Sequence, residues 1–165
     1  MTVEQYAKKG DNILKRIFKD KCALESFYSV NDCRIETETE YILGEIKTRE
    51  CFIHTFPDHL LEIKKLKALF KKAKNNAKQK KQKIYYINYF KGNMVVIYDL
   101  NKVLDIIKSK DIKGKLRFVS SKFKKRTASN LKDFGKKVDK DIIMLNPSIA
   151  KKIFYLDDDI KPVVC

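Results

Sequence analysis

Two hydrophobic periods alternate along this chain. Over residues 3–19, Tyr6, Ile13, Leu14, Ile17 and Phe18 fall near one face of a helix, with Lys8, Lys9, Lys15 and Lys19 elsewhere. Gly10 weakens that helix at its middle. From Phe27, Tyr28 and Val30 onward the residues favour strands. Cys33-Arg34-Ile35-Glu36 and Tyr41-Ile42-Leu43-Gly44-Glu45-Ile46-Lys47 read as two strands, with Thr37-Glu38-Thr39-Glu40 as the turn between them. Residues 51–57 read as a loop or short strand. Pro57 and Asp58 then open a second helix, with Asp58 as its cap. Leu66, Leu69, Phe70, Ala73 and Ala77 keep its apolar stripe, while lysines follow its other face as far as Lys83.

Ile84 to Phe90 and Met94 to Tyr98 are β-branched and aromatic, and Lys91-Gly92-Asn93 between them signals a hairpin. A short helix over 101–108 takes its cap from Asp99 or Asn101. Strands follow over 115–119 and 141–145, separated by a basic, irregular stretch at 120–140. Pro147 starts a helical turn, and the chain after Asp157 reads as a loose end. The expectation is one mixed α/β domain with a central mixed sheet flanked by helices. Residues 1–100 form its core and residues 101–165 a basic C-terminal extension of the same domain.

Length agrees, since 165 residues suffice for one domain with a sizeable core. The formal net charge of +16 changes the picture more, because such a field attracts phosphate polyanions. Lysine supplies 32 of the 37 basic residues, as a low-GC coding sequence also would, so coding bias accounts for part of the charge. Nucleic acid still ranks ahead of a membrane surface or an acidic protein as partner. Cys22, Cys33, Cys51 and Cys165 lack the short C-x-x-C spacing of a zinc site and read as reduced thiols. With no apolar run of membrane-spanning length, a cytoplasmic location is expected, the host cytoplasm or a virion if phage-encoded.

Charge is also segregated. Residues 20–62 hold 10 acidic and four basic residues, whereas residues 108–140 hold 13 basic and three acidic ones. An acidic pocket in a basic shell suits metal-dependent phosphodiester chemistry: carboxylates hold hard divalent ions and lysines hold phosphate. Asp32 is followed after twelve residues by Glu45-Ile46-Lys47. On a strand Glu45 and Lys47 project to one side and Ile46 to the other. If residues 33–36 pair with 42–46, Asp32 lies near Glu45, and the two can share a magnesium ion with help from a backbone carbonyl. A water on that ion deprotonates more easily, and Lys47 can offset charge developing on the phosphate. The string itself is cheap. Acidic-Ile-Lys recurs at Glu62, Asp111 and Asp159, and only the copy at Glu45 lies on a convincing strand downstream of a partner bearing an aspartate.

Asn31-Asp32-Cys33-Arg34 followed by Tyr41-Ile42-Leu43-Gly44-Glu45-Ile46-Lys47-Thr48-Arg49 resembles the PD-(D/E)xK nuclease superfamily, in particular its small phage-type and mobile-element members. The resemblance spans roughly residues 1–100 and departs from the pattern at Asn31, where a proline often stands. It implies an αβββαβ restriction-endonuclease-like core, Asp32, Glu45 and Lys47 as catalytic residues, Asp32 and Glu45 as ligands of Mg²⁺ or Mn²⁺, and Glu4 and Lys65 as accessory positions. The activity implied is endonucleolytic hydrolysis of DNA, in repair, recombination, junction resolution or phage DNA processing. Junction-resolving members tend to be dimers, so a homodimer is a weaker expectation.

Arg49, Lys64, Lys71, Lys72, Lys122, Lys124, Lys125 and Arg126 are the candidate nucleic-acid contacts. RNA stays open as substrate, because lysines read phosphate rather than sugar. Each residue also has a structural reading. Asp32 suits a strand-end cap, and Glu45 with Lys47 suits an exposed ion pair contributing only ~0–1 kcal/mol. Arg49 is as well solvated as phosphate-bound. His54 and His59 suit loop positions better than a general base, and Tyr85, Tyr86, Tyr89 and Phe90 suit sheet packing better than base stacking. A non-catalytic packaging or virion protein with a nuclease-like fold is the competing function, and a basic interaction protein the third.

Overall fold

A computed structural model describes residues 3–18, 21–25, 29, 31–124 and 137–156. Phe27, Tyr28, Val30, Lys125, Arg126 and the end after Asp157 lie outside the described residues. Among the described residues the order is α1 (Val3–Phe18), β1 (Ala23–Leu24), β2 (Cys33–Glu36), β3 (Glu40–Thr48), β4 (His59–Glu62), α2 (Ile63–Asn76), β5 (Lys81–Tyr89), β6 (Met94–Asp99), α3 (Leu100–Ser109), β7 (Leu116–Lys124), β8 (Lys137–Leu145) and β9 (Lys152–Tyr155). None of these helices is long and apolar enough to cross a membrane.

The fold is mixed α/β around a six-stranded mixed sheet in the order β1-β2-β3-β5-β6-β9. Its centre is the parallel pair β3 and β5, in register from Glu40 opposite Lys81 to Thr48 opposite Tyr89. Parallel neighbours need a crossover, and α2 supplies it. Every other neighbour in this sheet is antiparallel. The turn from β2 to β3 closes on itself, with Glu40 N–H donating to Thr37 Oγ1 at 2.9 Å. The expected hairpin at 91–93 joins β5 to β6, with Gly92 at φ 81° and Asn93 at φ 62° in the left-handed region.

Both faces of this sheet are covered, so its strands read as near-continuous apolar runs. Tyr41 and Leu43 of β3, with Ile84 and Tyr86 of β5, pack on one side with Leu66, Leu69 and Ala73 of α2 and Val103 and Ile106 of α3. Ile42 and Ile46, with Tyr85 and Ile87, face the other way onto Ile13, Leu14, Ile17 and Phe18 of α1. Gly10 has a packing reason. A Cβ there would stand 3.3 Å from Ile46 Cγ2, so glycine lets α1 settle onto β3.

Several expectations change. The chain opens no helix at Asp58: His59–Glu62 is a strand, alternately buried against β8, and α2 starts at Ile63. Asp58 instead pairs with Arg117 at 2.9 Å. Residues 120–124 and 137–140 are not irregular. They extend β7 and β8 into a long antiparallel pair, Leu116 opposite Leu145 to Lys124 opposite Lys137. Polar side chains such as the exposed Ser120 and Lys122 hid this strand, since they break the apolar alternation that marks one. One central sheet becomes two, since β4, β8 and β7 form a separate three-stranded sheet on the α2 side. β9 was not foreseen: it joins the edge of the main sheet along β6.

Gly44 sits where β2 and β3 are tightest, since an added Cβ would lie 2.5 Å from Cys33 Sγ. Gly44→Ala is expected to lower unfolding free energy by about 1–3 kcal/mol in urea denaturation. The loss should shrink in a Cys33→Ala background. An equal loss in both backgrounds would place the strain elsewhere.

Candidate active site

Glu45 lies mid-strand on β3, on the α2 side of the sheet, and is 1% exposed. Lys47, two residues on, shares its face, and Ile46 is buried against α1 as strand alternation requires. Lys47 Nζ stands 2.8 Å from Glu45 Oε1. From the first turn of α2, Lys65 Nζ reaches the same oxygen at 3.0 Å. The two ammonium groups thus converge on a single carboxylate oxygen.

Asp32 arrives from the neighbouring strand. Cys33 pairs with Gly44, so the residue before β2 falls opposite Glu45. Its backbone is fixed by Asp32 N–H donating to Gly44 O and Glu25 N–H donating to Asp32 O, both at 2.9 Å. Its Oδ2 accepts from Ile46 N–H at 2.7 Å. Asn31, fully buried, donates from Nδ2 to Cys33 O at 2.8 Å and so braces the bend that presents the aspartate.

Burial, and then the charge of Glu45, push the Asp32 carboxyl up to about 6, against the lowering pull of the Ile46 N–H and Lys47. Burial works against the charge on Lys47, but Glu45 foremost outweighs it and holds the lysine above its ordinary range. The Lys47 side chain is 44% exposed overall; its ammonium end, pressed against a buried carboxylate, is the part that loses water.

The donor set is two adjacent carboxylates with spare lone pairs. That fits a hard, hydrated cation such as Mg²⁺, which binds through one or two carboxylates and keeps several waters. No group of three or more His, Cys, Asp or Glu side chains forms a metal cluster among the described residues. Cys33 and Cys51 form no disulfide.

The other expected site residues scatter. Glu4 belongs to α1, which packs on the opposite face of the sheet, and its side chain lies outside the described residues. Arg49 is a structural tie: its guanidinium donates to Asn88 Oδ1 at 3.0 Å, Leu60 O at 3.1 Å and Tyr86 Oη at 3.0 Å. Lys72 is held by Ser29 Oγ at 2.8 Å and Glu25 at 3.5 Å. Lys64, Lys71 and Lys122 are exposed on α2 and β7. Lys124 lies on β7, with its side chain outside the described residues. Tyr85, Tyr86, Tyr89 and Phe90 are core. So is His59, whose Nδ1 is 2.7 Å from Tyr98 Oη and whose ring burial, followed by the charge of Arg49, presses to about 4.

Sequence reasoning missed Asn88. It is fully buried on β5 opposite Lys47, and its Nδ2 has no hydrogen-bond partner among the described residues. A lone polar residue inside the run Ile84 to Phe90 was the available signal. No family profile, no curated protein and no solved structure matches this chain.

The raised Asp32 value carries a sign. A carboxyl with a folded pKa of about 6 against an ordinary value of 3.8 holds its proton more tightly when folded. Ionising it therefore destabilises the fold progressively as pH rises from roughly 4 to 6. Asp32→Asn keeps an acceptor for Ile46 N–H and should stabilise the metal-free protein by about 1–2 kcal/mol at pH 8. The difference should vanish near pH 4 in thermal melts. A constant offset across pH would deny the strained carboxyl.

Proposed function

We propose that this chain is a divalent-metal-dependent endonuclease hydrolysing DNA phosphodiester bonds, with Asp32 and Glu45 holding the metal and Lys47 facing the phosphate. The observation that carries the reading is the buried Glu45 carboxylate, met by Asp32 from one strand, Lys47 from its own and Lys65 from a helix. An isolated buried carboxylate is costly, and placing a second one beside it is more so. The order helix, three strands, helix, strand, with β4 interposed, agrees with the αβββαβ core that the resemblance implies.

Asp32 and Glu45 would hold a divalent cation, which would supply Lewis acidity toward a phosphate oxygen. The chain's own residues do the rest. Asp32 is aimed by the Ile46 N–H, which holds its Oδ2 and turns the carboxyl toward Glu45. Lys47 and Lys65 hold positive charge beside Glu45, where a phosphate backbone would meet it. The exposed Lys64, Lys71 and Lys122 offer sequence-independent phosphate contacts beyond the site. One observation favours a non-catalytic nucleic-acid binder instead: two lysines already pair with the Glu45 carboxylate, and among the described residues no third metal-binding side chain joins it and Asp32.

Supercoiled plasmid and a branched DNA junction, incubated with Mg²⁺ or Mn²⁺, distinguish the two. The nuclease reading expects cleavage that EDTA and Glu45→Ala abolish and that Lys47→Ala slows about a hundredfold or more. In parallel, Mg²⁺ at pH 8 should raise the Tm of the wild type by about 2–4 °C and leave Glu45→Ala unmoved. Absence of cleavage, with equal DNA binding by all three proteins, would establish the binder. Affinity should also fall steeply between 50 and 200 mM salt, by about tenfold or more, because lysine–phosphate contacts release counterions. A salt-insensitive affinity would remove the basic surface from either reading.

A further inference from the structure

A cavity of about 360 Å³ opens beyond the end of β3, lined among others by Arg49, Phe56, His59, Phe90, Ile142 and Met144. Hydrogen bonds link its wall to the strands that carry the carboxylate site. Arg49, in its wall, is bonded to Tyr86 and Asn88, and these two are the register partners of Glu45 and Lys47 on β5. The lining is mostly apolar and partly aromatic. Phe56 is 60% exposed, and its neighbour Phe52 is 56% exposed with Lys91 Nζ 5.4 Å from its ring centre. Deeper in, His59 is 4% exposed, and its Nε2 has no hydrogen-bond partner among the described residues.

These features select an occupant. An aliphatic group would fill the volume and leave His59 Nε2 unpaired. A phosphate would have to leave water for apolar walls. A planar heterocycle satisfies both parts, stacking on an aromatic ring and offering an edge nitrogen or oxygen to the imidazole. The chain's charge of +16 makes a polyanion the ligand that brings such a heterocycle here.

We infer that this cavity takes one unstacked nucleobase next to the phosphate at Lys47, so the preferred substrate carries an unpaired nucleotide there. A base inside a duplex would have to leave its stack to enter, and one in a single strand, a loop or a branch would not. The inference rests on the nucleic-acid reading above and gives it a substrate class.

The test uses oligothymidylate carrying one abasic position, moved stepwise along the strand. It is bound in EDTA to the wild type, to Phe56→Ala, which alters an exposed ring, and to Met144→Trp, which fills the cavity. One abasic position should weaken wild-type binding about tenfold. Both variants should bind the intact strand as weakly as the wild type binds that abasic strand, with no further loss. Equal wild-type affinity for every abasic strand overturns the inference. So does an abasic loss undiminished in both variants, which would assign the cavity to a protein segment. Plasmid cleavage is read alongside with Mg²⁺. Cleavage without any abasic effect overturns the cavity alone. An abasic effect without cleavage upholds the cavity and removes the nuclease.

Discussion

A carboxylate buried to 1% in the middle of a strand that is covered on both faces sets the terms for the rest of this molecule. Such a charge must be paired, because moving an ion out of water costs several kcal/mol even after the surroundings relax. The pairing draws on three elements. Lys47 comes from the strand itself, Lys65 from the crossover helix, and Asp32 from the strand next door. α2 must therefore start where it does, at Ile63, for Lys65 to fall in its first turn above β3. Glycine at 44 lets β2 come close enough for Asp32 to reach Ile46 N–H. Compensation is incomplete, since Asp32 holds its proton up to about pH 6. An ion-pair cluster selected for stability alone would not place a second acid where it must ionise against the first.

The main sheet was legible because burial on both faces leaves a strong mark. β3 and β5 are long apolar runs, and the hairpin at 91–93 has turn chemistry that few sequences offer otherwise. The site was legible for the same reason: Glu45 and Lys47 interrupt such a run at a spacing that shares one face. What stayed hidden lay where pattern is weak. β4 is four residues directly joined to α2, so its alternation merges into the helix. β7 and β8 are rich in lysine and serine, and their sequences look like irregular basic chain. β9 depends on the edge of β6, whose paired residues run from Met94 with Tyr155 to Ile97 with Lys152, far apart in sequence, and which no local pattern announces.

Arg49 shows how charge can mislead. Its place two residues beyond Lys47 made phosphate contact a natural expectation. It is instead tied to Asn88, Tyr86 and the Leu60 carbonyl, bracing the junction between β3, β5 and β4. A guanidinium with several donors can tie three elements together where a lysine would satisfy fewer acceptors. That tie fixes the second sheet against the first and makes one wall of the cavity beside the site. Net charge thus divides into two populations: cations that hold the fold, and exposed ones that the proposed reading assigns to phosphate.

The four charges at the site point to how the two populations could meet. With both acids ionised, Asp32, Glu45, Lys47 and Lys65 sum to zero, which is a tolerable resting state for a partly buried cluster. A divalent ion would take over the neutralisation of the carboxylates and leave both ammonium groups in excess. Excess positive charge at the rim of a low-dielectric site attracts a phosphate more strongly than the same charge in water. On the proposed reading the lysines would change partners, from Glu45 to the backbone of the substrate, once a metal had neutralised the carboxylates. Metal and nucleic acid would then bind with positive coupling, each relieving the charge imbalance that the other creates.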